Sequence, residues 1–147
     1  MTSATTPKTI VLAGCGNRIE RVAAAAIKPG MLVVVDAANK YIPHNASGNV
    51  AQPCFALEYD LTGRGIDDDY SIDDQVLAEV LPQGSWVYAV LAAGQTITKG
   101  ESLSSNGDGR VKSAANTDFF VGTALEDVTT TGSPGRVKME VFTGRDS

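Results

Sequence analysis

The stretch TIVLAGCGNRIERVAAAAI, residues 9–27, admits two readings of the fold. An apolar run, Ile10 to Ala13, enters a Gly14-Cys15-Gly16 turn, and an acid, Asp36, closes the next apolar run, MLVVVD. A strand, a Gly-x-Gly turn and a downstream carboxylate form the skeleton of nucleotide and S-adenosylmethionine sites. There the glycines let the backbone approach a phosphate, and a helix N-terminus faces the charge. The full dinucleotide pattern also needs a third glycine, which falls on Ile19 here, and repeated βαβ units. Residues 19–27 have the alanine content of a helix but almost no polar face, and Lys28-Pro29-Gly30 then turns the chain. A strand fits nearly as well. The stretch therefore reads as a glycine turn with positive φ at Gly14 or Gly16. A cofactor-binding enzyme built on that turn is the alternative.

The rest of the chain supports the β reading. MLVVVDA (31–37) is a β-branched run, VAQPCFALEYD (50–60) is a strand with Pro53 at an edge or bulge, and QVLAEVL (75–81) alternates. SWVYAVLA (85–92) is the next strand, and short strands between glycine turns continue to Phe142. No convincing 3.6-residue period occurs after residue 27. Turns every 8–12 residues predict an all-β fold, a compact sandwich or barrel-like domain of short strands. Residues 1–18 read as an extended N-terminal arm with a short strand, and residues 19–147 as the β-rich domain. An internal echo adds detail. IKPGMLVVVDAANKYIP (27–43) parallels ITKGESLSSNGDGRVKS (97–113), and each copy ends in Ala-Leu-Glu, at 56–58 and 124–126. Two related β-units packed on each other are expected.

Composition narrows the function. The 147 residues carry a net charge of −5 and no Lys/Arg run, which argues against direct nucleic-acid contact. No apolar stretch reaches the length of a membrane span, and the first residues lack the pattern of a signal peptide. Cys15 and Cys54 lack metal-ligand spacing and are read as reduced thiols, with a disulfide as the alternative. His44, the single histidine, sits between Pro43 and Asn45 and reads as a surface residue. No catalytic set, cofactor site or metal site is assigned. The loop LTGRGIDDDYSIDD (61–74) lacks EF-hand spacing and reads as solvated. Trp86, Tyr88 and Val90 share a strand face and read as core, whereas Phe119 and Phe120 must point to opposite faces.

Residues 54–111 resemble the head decoration proteins of tailed bacteriophages, also called capsid cement or stabilisation proteins. The matching features run in order: Phe55-Ala56-Leu57-Glu58, Gly63-Arg64-Gly65-Ile66-Asp67, Tyr70, Gly84, Leu91-Ala92-Ala93-Gly94, Lys99-Gly100-Glu101-Ser102-Leu103 and Gly107-Asp108-Gly109. IKPGMLVVV and IPHNASG upstream, and VGTALEDV and RVKMEVF downstream, extend the likeness over residues 22–142. The resemblance implies a non-enzymatic protein, made in the host cytoplasm, that binds the outer surface of the assembled head. It implies homotrimers at threefold or quasi-threefold positions that bridge major capsid protein subunits, with an N-terminal arm adding a strand to a capsid-protein edge. From position and residue type, Ala4, Thr5, Thr6, Pro7, Lys8, Thr9, Ile10, Val11, Leu12 and Ala13 are the expected capsid-contact arm. Trp86, Phe119 and Phe120 are expected at a subunit or capsid interface. A carbohydrate-binding β-module is a further alternative.

Overall fold

Residues 17–22, which overlap the stretch 19–27 open to a helical or an extended reading, form a strand. The computed structural model describes residues 7–145. Its strands are β1 (Val11–Ala13), β2 (Asn17–Val22), β3 (Val33–Val35), β4 (Tyr41–Pro43), β5 (Cys54–Ala56), β6 (Gln75–Val80), β7 (Trp86–Leu91), β8 (Thr96–Ile97), β9 (Ser102–Ser105), β10 (Val111–Ser113), β11 (Phe119–Ala124), β12 (Val128–Thr129) and β13 (Gly135–Arg145). Among the described residues the one helical piece is a 3₁₀ turn at Asp60–Thr62. The fold is all-β, as expected.

Two small barrels account for nearly every strand. In the first, β2, β6 and β5 form an antiparallel sheet and β3–β4 a hairpin. Bridges from Ala23 to Tyr41 and from Leu32 to Phe55 close the ring. In the second, the order β7-β10-β9-β11-β13 is closed by a β7–β13 pairing. β8 and β12 pair as a separate two-stranded clip.

The barrels are copies of one design, as the echo predicts. Gly30 N–H donates to Ala56 O at 2.7 Å, and Gly100 N–H to Ala124 O at 2.8 Å. Both glycines hold positive φ, +95° and +91°. Ala24 N–H meets Tyr41 O and Ala92 N–H meets Val111 O, each at 2.9 Å. The duplication reaches upstream of the echo to Gly16–Ala24 and Gly84–Ala92. Thus β2 corresponds to β7 and β6 to β13, and Arg18 faces Glu79 where Trp86 faces Glu140.

Alternation along each strand divides the core. Ala23, Val33, Tyr41, Cys54, Ala56, Val76 and Ala78 fill the first barrel. Val87, Ala89, Leu91, Leu103, Val111, Val121, Val137, Met139 and Val141 belong to the second core. Phe55, Leu77 and Leu81, on the outward face of β5–β6, join that second core and glue the barrels together. Arg136, with a side chain only 10 % exposed, crosses the same junction. It donates to Pro29 O at 2.8 Å and to Ile66 O at 2.6 Å, with its guanidinium 5.6 Å from the Tyr88 ring.

Three expectations change. Trp86 is 46 % exposed; Val87, Ala89 and Leu91 are the inward face of β7. Both faces of that strand are apolar in sequence, and its pairing with β13, where Val137 and Met139 lie opposite Ala89 and Val87, turns those residues into the ring and Trp86 out of it. His44 is buried between the barrels rather than at the surface. The arm and domain do not separate at residue 18. β2 spans that point, β1 pairs antiparallel with β7, and Ile10 is fully buried in the second core.

Candidate interaction surface

The outward face of the second barrel carries an aromatic stripe. Alternation on β7 and β13 puts Trp86, Tyr88, Arg136, Lys138, Glu140 and Phe142 outside. Phe142 is 54 % exposed, and Trp86 stands beside Glu140, one residue pair from it. A register shift between Phe120 and Gly122 lets the half-buried Phe120 ring lie across Gly144, where a Cβ would meet Phe120 Cζ at 2.7 Å. Its centroid is then 5.9 Å from that of Phe142, with the rings tilted by 54°. Ala13 of β1 borders Trp86. Gln83 and Thr143 exchange hydrogen bonds of 2.8 and 3.0 Å at the end of the stripe.

Duplication identifies what kind of face this is. Lys138 and Phe142 of β13 occupy the places that Leu77 of β6 and Leu81, just after it, hold in the first barrel. There that face is covered by the second barrel; in the second barrel Trp86 and Phe142 are exposed, while Tyr88 and Arg136 meet the first barrel.

The expected interface residues divide between two faces. Trp86 and Phe120 lie in the stripe, while Phe119 points the other way and packs against the second core. Phe142 carries no sequence signal of its own: an adjacent aromatic pair demands an outward ring, and a lone Phe near the end of the sequence does not. Of the expected arm, Ala4, Thr5 and Thr6 lie outside the described residues. Lys8, Thr9 and Ala13 are exposed, Pro7, Val11 and Leu12 are half-buried, and Ile10 is buried.

The Gly-x-Gly turn serves the chain's own carboxylate. Gly14 takes φ of +96°, and Gly16 N–H donates to Glu79 Oε2 at 2.6 Å. Arg18 Nε donates to Glu79 Oε1 at 3.0 Å, and a strand, not a helix, comes next. Glu79 thus fills the anion position that a phosphate occupies in a nucleotide site. His44 Nε2 donates to Val50 O at 3.1 Å, so in the neutral ring Nδ1 accepts the Ser105 hydroxyl at 2.6 Å. Both side chains are buried, and the pair ties β4 to β9. Both cysteines are free; Cys15 is exposed, and burial pushes the Cys54 thiol up to about 11. Among the described residues no three His, Cys, Asp or Glu side chains converge on a common point, and no helix is long and apolar enough to cross a membrane.

A cavity of about 550 Å³ opens between the barrels near Lys28, Tyr88, Arg110 and Arg136. Its cations are already matched: Lys28 to Asp69 at 3.2 Å, Arg110 to Asp108 at 2.9 Å and Arg136 to Asp67 at 3.7 Å. The acidic loop, read as solvated, supplies two of these partners.

Comparison with known proteins rests on structure. No protein-family model matches the chain, and no curated protein matches it. Among solved structures, the N base of the head fiber gp8.5 of bacteriophage phi29 is similar, with a TM-score of 0.61 at 12 % sequence identity. The match covers 89 % of this chain and 98 % of that one. At that identity the likeness is one of fold: nearly the whole two-barrel chain corresponds to nearly the whole of that base.

Proposed function

We propose that this chain is a structural protein of a phage head, bound to the outer surface of the assembled capsid as homotrimers that bridge major capsid protein subunits. The reading rests above all on the end-to-end fold match to the base of a phage head fiber. The aromatic stripe supports it physically. Trp86, Phe120 and Phe142 form an apolar surface of a kind that marks protein contacts, and its counterpart in the first barrel is buried. Clustering three copies turns modest contacts into strong attachment, because the second and third contacts become intramolecular. The role is one of binding and bracing, not of catalysis.

The test combines mass and location. Light scattering after size exclusion is expected to give three copies of the 15.3 kDa chain. Immunolabelling of intact virions of the phage that encodes it is expected to mark the outside of the head. Virions that lack the protein would overturn the reading. A monomer in solution that still labels heads would keep the head attachment and overturn a preassembled trimer.

A further inference from the structure

The first barrel carries a strand edge and an apolar mouth that the aromatic stripe does not explain. Ala23 exchanges backbone bonds of 2.8 Å with Asp73 and Asp74 on the β6 side. Alternation then turns the N–H and C=O groups of Arg18 and Glu20 to the opposite edge of β2. β4 covers that edge only at its far end, through the Ala23–Tyr41 bridge. Among the described residues, the backbone groups of Arg18 and Glu20 meet no partner on that side.

The duplicated barrel indicates what fits there. Tyr88, the counterpart of Glu20, donates its N–H to Ile10 O at 2.7 Å, and β1 lies antiparallel along that edge of β7. The second barrel thus holds an extended segment in this position. In the first barrel the same position is open among the described residues.

Next to the open edge is a cavity of about 250 Å³, lined by Ile19, Arg21, Val33, Val35, Tyr41 and Cys54 among others. Ile19 and Val35 are about two-fifths exposed, at 41 % and 40 %. Arg21 lies 5.9 Å from the Tyr41 ring and makes no ion pair among the described residues. Its Nε is buried without a hydrogen-bond partner, and Nη1 only reaches Asn39 O at 3.5 Å. An unneutralised guanidinium in an apolar mouth is complementary to a carboxylate flanked by apolar groups. Side chains of a strand laid on β2 opposite Ile19 and Arg21 point to this same face.

We propose that β2 accepts an extended segment of a partner polypeptide by antiparallel strand addition, with apolar side chains on Ile19 and Val35 and a carboxylate on Arg21. The inference is independent of the capsid reading, because it concerns the other barrel and a different surface.

The probe is a capped peptide of alternating valine and threonine with one central aspartate, and a twin with lysine in its place. It is titrated into the full chain by NMR, with amide exchange. Protection is expected at Arg18 and Glu20, shifts at Ile19 to Val22 and Val35, and binding at least about ten-fold weaker for the lysine twin. Glu20→Pro removes one outward N–H while leaving the β6 ladder intact, and should abolish binding. If that variant does not fold, Arg21→Gln should weaken binding by about ten-fold. Equal affinity for both peptides, shifts confined to the aromatic stripe, or no binding at millimolar peptide would overturn the proposal. So would an affinity gain of about ten-fold on deleting residues 1–6, which would make the chain's own N-terminal segment the occupant.

Discussion

Gly30 and Gly100 share a left-handed conformation and the same hydrogen bond, yet differ in what surrounds them. A Cβ on Gly30 would meet Tyr88 O at 2.7 Å, on the other barrel, whereas a Cβ on Gly100 would meet open space. Gly100→Ala should therefore cost about 1 kcal/mol, for the backbone alone. Gly30→Ala should cost about 2–4 kcal/mol, since the barrels must also move apart. Urea denaturation of the two variants measures the difference, and equal losses would mean that Gly30 does not sit at a rigid junction. The cysteines differ in a similar way. With native protein a thiol reagent should label the exposed Cys15 quickly, and Cys54 should react only on unfolding. One fast and one slow thiol in stopped-flow labelling is the expected result.

Among the strands, β1 shows how an arm can also be part of a core. Removing residues 1–9 leaves Ile10 and β1 on β7, so the fold should persist. Removing residues 1–13 withdraws a fully buried isoleucine and the partner of Tyr88 N–H, and should lower stability by about 2–4 kcal/mol. Thermal melts of the two truncations distinguish these outcomes. Asp118 ties three elements near the start of β11. Its carboxylate accepts Ala115 N–H at 2.9 Å and the Ser104 hydroxyl of β9 at 3.0 Å, with Lys112 of β10 at 3.7 Å. The Ala115 N–H foremost, then Ser104 and Lys112, hold Asp118 below its ordinary value of 3.8, against the opposing effect of burial. A carboxylate depressed by folding stabilises fully above that ordinary value and loses the contribution as pH falls through the folded value. Stability should thus decline on acidification below pH 3.8, and Asp118→Asn should flatten that decline in a pH series of melts.

For the chain in its assembly, the aromatic stripe carries the prediction for the proposed interface. Phe142 is more than half exposed, so Phe142→Ser should change the stability of the isolated chain by less than about 1 kcal/mol. If the stripe is an interface, the same variant should reduce the trimer fraction in light scattering or weaken attachment to capsids. A variant that melts like the parent and assembles like it would exclude the stripe from both contacts. Duplication gives the chain two versions of one outward face, one apolar and buried, one aromatic and open. Closed symmetric assemblies often use a surface of the second kind.

Much of the fold is legible in the linear order of residues. Short β-branched runs between glycine turns specify an all-β chain, because strand propensity and turn chemistry act over a few residues. The spacing of Ile, Gly and Ala-Leu-Glu reveals the duplication for a related reason. Gly30 and Gly100 need positive φ, and their N–H groups need Ala56 and Ala124, so both copies keep the same residues at nearly the same distance. Facing cannot be read in this way. β7 is apolar on both sides, and only ring closure decides that valine and alanine go in while Trp86 stays out. His44 has the neighbours of a surface loop residue, but the second barrel covers it. The Gly-x-Gly turn has the form of an anion site, but Glu79, sixty-three residues after Gly16, fills it. Local sequence sets the conformation of each segment; which of its faces meets water depends on segments far away in the chain, and tertiary packing alone decides that.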